Sequence, residues 1–485
     1  MKQWTLEERY RVLKSPNEIK DLHTKISKSK YRQSYHIQPV TGLSSDPNGF
    51  VYHKGTWHLC YQWCPWGAVH GLKYWYHVSS KDLIFWKNEG IGLKPDCVYD
   101  NKGTHSGSAI SINDELYFFY TGNHRNEKWI RTPYTCVAKV DDDGIPIKLS
   151  EPLFGPRADY SEHQRDPKVF YHKERKTYYI FIGAQTQDLR GCVLVYESKE
   201  LLNGWHFAGE LKVIGFENFG GMWECPCIQK INGKDILIFS PQYTKLPYRG
   251  ENTNHNVYII GKMDYDTLTF TPETDYQHLD YGFDFYAAQL ASNVSDPDKA
   301  IIIAWIGLPD NHYPTAEEDW EGSMTLPREL RIKDNRLIQT PISGIESLRH
   351  QEIEPTGTLL NACEIQINVR NRKFDLNLFT DISGNGGFRF HYDETKQLCT
   401  IDRTGLKKRF NEEIGEILSM PLHSPLKHLQ IFIDHCSIEI FANHGEATFT
   451  SHVYPMANEH HYTISENNAL KIWSLNASIK DDFII

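Results

Sequence analysis

Three carboxylate residues in short proline-containing segments could together hydrolyse a glycosidic bond. Asp46 opens an Asp-Pro-Asn-Gly turn, Asp166 lies in an Arg-Asp-Pro segment, and Glu224 opens a Glu-Cys-Pro segment. Glycoside hydrolysis needs one carboxylate that attacks or activates and a second carboxyl group that donates a proton. The stiff turn around Asp46 suits a nucleophile. The apolar neighbours of Glu224 suit a proton donor, because desolvation disfavours its charged form. Asp166 would stay ionised and bind sugar hydroxyls.

Each of these segments also has an ordinary structural interpretation. Asp46 could simply form a bend between strands. Arg165 and Asp166 could form a turn and a salt bridge, and Glu224 could be a buried acid paired with a distant arginine. Because side chains alternate along an extended strand, Arg165 and Asp166 are expected on opposite faces. The catalytic interpretation therefore depends on whether the three carboxylates meet in space.

A sequence repeat predicts how they would meet. Five similar strand-like runs contain Trp57, Leu116, Tyr178, Ile236 and Ile301, at intervals of 59, 62, 58 and 65 residues. A four-stranded sheet with its loops fits each interval, and such a sheet cannot bury its faces alone. The repeat therefore predicts an all-β fold that begins with a five-bladed β-propeller.

The same repeat aligns polar residues of the five units. Eleven or twelve positions before the reference residues stand Asp46, Thr104 (beside His105 and Ser106), Asp166, Glu224 and Gln289. In a propeller, the corresponding segment of each blade is the inner strand beside the central channel. We therefore expect these positions to converge on one spot, with three carboxylates among them.

The rest of the chain has a different pattern. We expect a helical arm over residues 1–30, the propeller over 31–340 and a linker over 341–350. Period-two alternation after that predicts a C-terminal antiparallel β-sandwich over 351–485.

Composition limits the classes of partner. The net charge of −10 disfavours nucleic acid, and aromatic residues make up 13% of the chain, which suits a sugar-binding surface. No apolar run is long enough for a membrane span, and the N-terminus lacks the apolar region of a secretory signal. The ten cysteines are scattered, which favours reduced thiols in a cytoplasmic protein. We expect a small-molecule substrate, no metal or cofactor, and a monomer or homodimer.

The three proline segments resemble the motifs of glycoside hydrolase family 32, the β-fructofuranosidases. The family blocks read W-M-N-D-P-N-G, R-D-P and E-C-P, and they recur here in that order with similar separations. The likeness extends over nearly the whole chain, through segments such as Tyr61–Gln62, Ser106–Ala109, Gly183–Gln185, Asp280–Gly282, Thr325–Leu330 and Tyr454–Pro455. The resemblance implies a retaining reaction, with Asp46 as nucleophile, Glu224 as acid/base and Asp166 as transition-state stabiliser.

The resemblance also implies a set of substrate contacts. These are Leu43, Ser44, Ser45, Gln62, His70, His105, Ser106 and Arg165. Two of them depart from the family pattern. Ser45 replaces an Asn that normally contacts the sugar, so a shorter side chain or a water must make that contact. His105 stands where the family usually has an aromatic residue.

Within the family, the segment from Gly67 to Lys73 is similar to that of the bacterial sucrose-6-phosphate hydrolases. This likeness implies hydrolysis of sucrose 6-phosphate and sucrose to release fructose. A phosphate group needs cationic donors. Candidate rim contacts are His70, Lys73, His105, Arg125 and Arg131, with Trp66 and Trp129 as stacking platforms.

Other interpretations remain open at this point. The rim cations could be solvated surface charges, and the two tryptophans could pack between blades. The protein could instead hydrolyse short fructo-oligosaccharides or fructans. A non-catalytic sugar-binding propeller is an alternative from another functional class.

Overall fold

Seven β-sheets form the framework of the protein, which a computed structural model describes for residues 3–466 and 468–484. Five sheets come from the first two thirds of the chain and two from the last third. Each of the first five is built mainly from consecutive antiparallel strands, as a propeller blade requires. These blades are numbered 1 to 5 in chain order.

Each blade contains four main strands. Blade 1 contains Gly42–His53, Thr56–Cys64, Tyr74–Ser80 and Trp86–Leu93. Blade 2 contains Thr104–Ile112, Glu115–Arg125, Arg131–Val140 and Pro146–Lys148. Blade 3 contains Tyr160–His172, Thr177–Thr186, Gly191–Ser198 and His206–Glu210. Blade 4 contains Met222–Ile231, Lys234–Gln242, Val257–Asp264 and Thr269–Pro272. Blade 5 contains Tyr286–Leu290, Ala300–Ile306, Arg328–Lys333 and Arg336–Pro341.

Short strands extend three of the blades. They are Trp320–Glu321 in blade 1, Lys212–Val213 and Gln277–His278 in blade 4, and Ser323–Met324 in blade 5.

The first strand of each blade, named here the inner strand, packs against the inner strands of both neighbouring blades. These contacts run from blade 1 to blade 5, and the inner strand of blade 5 contacts that of blade 1. At this closure, the Ser292 N–H donates to Phe50 O at 2.9 Å and the Tyr52 N–H donates to Ser292 O at 3.1 Å. The ring is therefore closed, and the predicted five-bladed propeller is confirmed.

Position in the ring explains why the second strand of blade 5 is apolar along its length. Every residue of Ala300–Ile306 is buried, because neighbouring elements cover both faces of the blade. A sandwich strand such as Lys373–Thr380 instead begins with alternating exposed or half-buried and buried residues. The period-two pattern thus survives only where one face of a sheet meets water.

The C-terminal third forms the predicted antiparallel β-sandwich. Its first sheet contains Arg349–Ile353, Ala469–Leu475, Ala362–Asn368, His428–Asp434, Ser437–Ala442 and Ala447–His452. Its second sheet contains Ile417–Pro421, Leu398–Gly405, Gly387–Asp393, Lys373–Thr380 and His461–Ile464. The chain passes from propeller to sandwich between Pro341 and Arg349. The domain limits drawn from the sequence remain predictions.

The helices are few and short. Leu6–Arg9 and Pro16–Ile26 are α-helices, each opened by a capping box, and Ile19 of the second is fully buried in the core that includes blade 1. The 3₁₀ turns are Val98–Asp100, Pro314–Glu318, Ile345–Leu348 and Glu412–Ile414. Among the described residues, none of the helices has the length and apolar character needed to span a membrane.

The cysteine residues agree with the expected reduced state. All ten are free thiols, and all but Cys97 are buried.

A buried charged network joins the propeller to the sandwich. Arg328 of blade 5 is fully buried and donates to Asp280 Oδ2 at 2.9 Å and to Glu439 Oε2 at 2.5 Å. Glu439, a sandwich residue, also lies 2.9 Å from His36 Nε2, while His36 Nδ1 lies 3.0 Å from Asp434. Burial alone would lower the pKa of His36, but hydrogen bonds to Asp434 and Glu439 raise it to about 9. The protonated ring therefore bridges the two carboxylates.

Replacing Arg328 by leucine should lower the free energy of unfolding by about 3–5 kcal/mol, because Asp280 would stay buried without its counter-charge and Glu439 would keep only His36 as a cationic partner. The matched control is Arg331→Leu on the same strand, whose side chain is 50% exposed and pairs with Glu329 at the surface. That change should cost at most about 1 kcal/mol. The urea midpoint of unfolding measures both variants, and equal shifts would contradict a special role for Arg328.

Candidate active site

A pocket of about 300 Å³ opens at the centre of the ring, and all three predicted carboxylates line it. Asp46, Asp166 and Glu224 lie on the inner strands of blades 1, 3 and 4. Ser106 and Tyr286, on the inner strands of blades 2 and 5, also line the pocket. Every blade therefore contributes a side chain, which is the convergence that the repeat predicted.

Asp46 is held by two donors from neighbouring strands. Ser106 Oγ donates to Asp46 Oδ2 at 2.5 Å, and Gln62 Nε2 donates to the same oxygen at 2.9 Å. Gln62 also contacts Ser106. Asn48 Nδ2 donates to the Asp46 carbonyl at 2.8 Å and so ties the turn to its own strand. In the part of the chain that the structure describes, both side-chain donors reach Oδ2, which leaves Oδ1 available to a ligand.

Glu224 accepts hydrogen bonds at both carboxylate oxygens. Arg165 reaches Oε1 through Nε at 2.8 Å and through a terminal nitrogen at 2.6 Å. The Tyr286 hydroxyl donates to Oε2 at 2.6 Å. Burial opposes the charge on Arg165, but Glu224 and Asp166 together raise the pKa of Arg165 above its ordinary value. Arg165 thus pairs across the pocket with Glu224. The sequence left open that Glu224 is a buried acid paired with a distant arginine, and Arg165 is that arginine.

Asp166 is the most buried of the three carboxylates. Its backbone N–H donates to Thr121 Oγ1 at 2.9 Å, and the Cys225 N–H donates to its Oδ2 at 3.1 Å. Burial and the nearby charge of Glu224 raise the pKa of Asp166 to about 7. The raised pKa favours a proton on Asp166, whereas the sequence predicted an ionised carboxylate; the ionised state stays a prediction.

Backbone bulges explain why Arg165 and Asp166 line the same pocket. The pairing of the blade 3 inner strand shifts where Asp166 and Pro167 stand opposite one residue, and Asp166 takes a left-handed φ of 66°. A bulge re-aims side chains and breaks strict alternation. The expectation that the two residues point to opposite faces is therefore wrong.

The bulges also correct the alignment of the repeats. Arg165, Glu224 and Tyr286 each stand immediately before the bulge of their inner strands. Asp166 corresponds instead to Cys225, the first bulged residue of blade 4. Counting residues along the chain could not include these insertions. The alignment of Asp166 with Glu224 was therefore wrong by one position.

Two positions chosen by the repeat count do not line the pocket. These are Thr104 and Gln289, both buried. In their blades, the lining residues are His105 with Ser106, and Tyr286.

One wall of the pocket carries cations and histidines. Lys73, Arg131, His70 and His105 line it, as predicted. Lys73 is only 7% exposed, and its Nζ donates to Ser45 Oγ at 2.8 Å. Burial lowers the pKa of Arg131 to about 10, which leaves it charged near neutral pH. Burial also lowers the pKa values of His70 and His105 far below the ordinary range, so both rings are neutral donors or acceptors rather than cations.

Several predicted contacts lie outside the pocket lining. Leu43, Ser44 and Ser45 are fully buried beneath it. Ser45 Oγ accepts a hydrogen bond from Lys73, whose side chain lines the pocket, and the sugar contact at Ser45 stays a prediction.

The three remaining rim candidates also lie outside the lining and belong to the packing of loops. Arg125 donates to Trp129 O at 2.8 Å. Trp66 Nε1 donates to Arg11 O at 2.9 Å, and the Arg11 guanidinium stacks 3.3 Å from the centre of the Trp66 ring. Trp66 therefore anchors the N-terminal arm.

Pocket residues that the sequence argument did not identify include Tyr10, Gln242, Trp305 and Pro309. Tyr10 comes from the N-terminal arm and packs edge-on against Trp129, with ring centres 5.1 Å apart. The arm is fixed next to the pocket because Arg9 Nε donates to His70 O at 2.7 Å. No local signal in the arm indicates this placement, since it depends on contacts about 60 residues apart in the chain.

Comparison with known proteins agrees with this architecture. Residues 36–341 match the glycosyl hydrolases family 32 N-terminal domain, and residues 330–480 match the glycosyl hydrolases family 32 C terminal domain. The chain is similar to the sucrose-6-phosphate hydrolase of Vibrio alginolyticus, with 38% identity over 93% of this chain and 92% of the relative. It is 37% identical to the sucrose-6-phosphate hydrolase of Staphylococcus xylosus, over 94% of each chain.

Solved structures show the same similarity. The sucrose-6-phosphate hydrolase from Lactobacillus gasseri superposes with a TM-score of 0.92 at 33% identity, covering 98% of this chain and 100% of that one. A variant β-fructofuranosidase of Bombyx mori, in complex with sucrose, superposes with a TM-score of 0.82 at 29% identity, covering 96% and 98%. With both family domains matched in order and relatives alike over nearly their full length, the chain belongs to glycosyl hydrolase family 32.

Proposed function

We propose that the protein hydrolyses the fructosyl bond of sucrose 6-phosphate, and of sucrose, to release fructose. The observation that carries this proposal is one pocket that contains Asp46, Asp166 and Glu224 together with the cations Lys73 and Arg131. The carboxylates can supply glycosidase chemistry, and the cations can bind a phosphate. The bacterial relatives named sucrose-6-phosphate hydrolases support the same substrate. The free thiols favour a cytoplasmic location.

Asp46 acts as the nucleophile in this proposal. Gln62 and Ser106 hold Oδ2, so the carboxylate cannot rotate freely and Oδ1 attacks the anomeric carbon of the fructosyl unit. A fructosyl-enzyme forms as the bond to the leaving sugar breaks. Water then attacks the same carbon, releases fructose and restores the Asp46 carboxylate, with overall retention.

Glu224 acts as the acid/base, and its proton is shared with Asp166. In the ligand-free pocket, Arg165 and Tyr286 donate hydrogen bonds to Glu224, while burial favours a proton on Asp166. Sugar hydroxyls that donate to Asp166 would favour its charged form and return the proton to Glu224. Glu224 then protonates the leaving oxygen in the first step and accepts a proton from water in the second.

Lys73 and Arg131 form the phosphate-binding wall of the proposed site. Arg131 remains charged near neutral pH, whereas His70 and His105 are neutral and can contribute only single hydrogen bonds. Arg131 is oriented by the hydrogen bond from its Nε to Asn123 Oδ1 at 2.9 Å. Charge-assisted hydrogen bonds from these two residues would select a phosphorylated sugar over a neutral one.

Glu224→Gln should lower kcat for sucrose by about 10²- to 10⁴-fold, because the leaving oxygen loses its proton donor. Asp46→Asn should lower kcat at least as far, because no fructosyl-enzyme can form. A substrate whose leaving group needs no proton should restore much of the first step in Glu224→Gln but none in Asp46→Asn.

The matched control for these variants is Glu162→Gln, an exposed carboxylate on the same inner strand as Asp166. Its kcat should stay within about twofold of the wild type. Wild-type rates in Asp46→Asn, measured as fructose release, would refute the nucleophile assignment.

The kcat/KM for sucrose should fall as pH rises through about 7, because the carboxylate cluster then loses the proton that the leaving group needs. Burial raises the pKa of Asp166 to this value, and the proton is present below it and lost above it. Sucrose is the right probe because a phosphate ester ionises near pH 6 and would add its own titration. Constant kcat/KM up to pH 9 would argue against the shared proton.

Lys73→Met and Arg131→Met should each lower the ratio of kcat/KM for sucrose 6-phosphate to that for sucrose by about tenfold or more, since a charge-assisted hydrogen bond contributes about 1.5–3 kcal/mol. The matched control is Arg125→Met, which removes a cation of the same loop region that does not line the pocket. Its ratio should not change. If all three variants left the ratio at the wild-type value, phosphate recognition by this wall would be excluded.

A further inference from the structure

The N-terminal arm lies against the catalytic pocket, although the matched family domain begins only at residue 36. Tyr10 of the arm is among the residues that line the pocket. Neither this side chain nor the arm has a function in the reaction described above. A segment outside the shared domain that reaches the reacting groups is a place where the specificity of a chain can be set, because a rigid scaffold positions it.

Two glycines of the segment Gly67–Lys73 allow the arm to come close. A Cβ atom built at Gly67 would lie 2.4 Å from the Trp4 ring. One built at Gly71 would lie 2.2 Å from the carbonyl oxygen of Arg9. Both distances are far shorter than a van der Waals contact, so a side chain at either position would displace the arm. The segment is thus shaped to receive the arm.

Hydrogen bonds fix the arm on this segment. Arg9 Nε donates to His70 O at 2.7 Å, and the Leu72 N–H donates to Arg9 O at 2.8 Å. Both partners immediately precede Lys73, a cation of the phosphate-binding wall. The arm and this part of the wall therefore form one unit, and Tyr10 has a set position relative to Lys73.

Trp129 holds the Tyr10 ring from the side of blade 2. The two ring centres lie 5.1 Å apart with an angle of 83° between the planes, and such edge-to-face pairs are favourable. Arg125 donates to the carbonyl oxygen of Trp129 at 2.8 Å, which fixes the loop. Two residues further along stands Arg131, the second cation of the wall. Tyr10 is therefore held between the two segments that carry Lys73 and Arg131.

This position places Tyr10 beside the leaving sugar rather than the fructosyl unit. In the proposed function the fructosyl unit lies at Asp46, whereas Lys73 and Arg131 bind the phosphate of the leaving glucose unit. Tyr10 belongs to the phosphate side, because the segments that hold it carry those two cations. Its half-buried ring offers an apolar face and a hydroxyl group, which match the C–H face and the hydroxyl groups of a sugar ring.

We propose that Tyr10 is a specificity-determining residue that packs against the leaving glucose 6-phosphate unit, and that the N-terminal arm is thereby part of the active site. The inference rests on the proposed function, because the bound phosphate sets the direction of the leaving sugar. It also explains Gly67 and Gly71, which bring the arm to the phosphate-binding wall.

The test compares two substrates that share the fructosyl unit. Tyr10→Ala should lower kcat/KM for sucrose 6-phosphate about tenfold, because a contact with the leaving sugar is lost. The same variant should keep kcat/KM for fructosyl fluoride within about twofold of the wild type, because this substrate has no leaving sugar. Equal losses on both substrates would show a general disturbance of the pocket and would overturn the assignment.

The matched control is Val12→Ala. Val12 is on the same arm, is 51% exposed and does not line the pocket. Its kcat/KM values for both substrates should equal those of the wild type. Gly67→Ala is a second variant that acts through the arm without touching the pocket lining, and it should reproduce the selective loss on sucrose 6-phosphate.

Product binding provides a measurement that does not depend on turnover. Titration calorimetry should show that Tyr10→Ala weakens the affinity for glucose 6-phosphate about tenfold and leaves the affinity for fructose unchanged. Wild-type affinity for glucose 6-phosphate in Tyr10→Ala would overturn the assignment of Tyr10 and leave the proposed function standing. Absence of fructose release from any substrate would refute the proposed function, while the glucose 6-phosphate affinities would still decide the contact with Tyr10.

Discussion

The charges gathered on the axis of the ring must be balanced within the pocket, and this constraint governs the placement of most residues around it. Three carboxylates on inner strands would repel one another in a partly buried site. Arg165 pairs with Glu224, hydroxyl and amide donors hold Asp46, and Asp166 tends to take up a proton. The balance is therefore achieved partly by a cation and partly by protonation. A glycosidase needs two carboxyl groups in different protonation states, because one must carry a proton while another stays charged.

Backbone bulges make this charge arrangement possible. On a regular strand only every second residue faces the axis. The irregular pairing of the inner strands lets neighbouring residues such as Arg165 and Asp166 both reach the pocket, and it places the Cys225 N–H against the Asp166 carboxylate. Five blades can therefore present more than five functional groups to a small volume. The backbone of Asp166 is itself left-handed, a conformation usually avoided by residues other than glycine.

Elements far from the axis keep the ring rigid and shape the mouth of the pocket. Arg328 and His36 tie the propeller to the sandwich through buried carboxylates. The N-terminal arm, anchored on Trp66, brings Tyr10 to the pocket edge. The pocket is cationic toward blades 1 and 2, where Lys73 and Arg131 line it.

The sequence by itself determined the number of blades, the sandwich that follows and the meeting of Asp46, Asp166 and Glu224, because each depends on a repeat or a local pattern of turns. Tertiary structure alone decided the rest. The bulges, which no residue count includes, set the true register of the repeats and turned Arg165 toward Glu224. Burial, which sequence neighbours do not reveal, made His105 neutral and raised the pKa of Asp166. Lys73 donates to Ser45, and Tyr10 packs against Trp129 at the pocket edge. Both contacts join segments that are distant in the chain, so only the folded protein could show them.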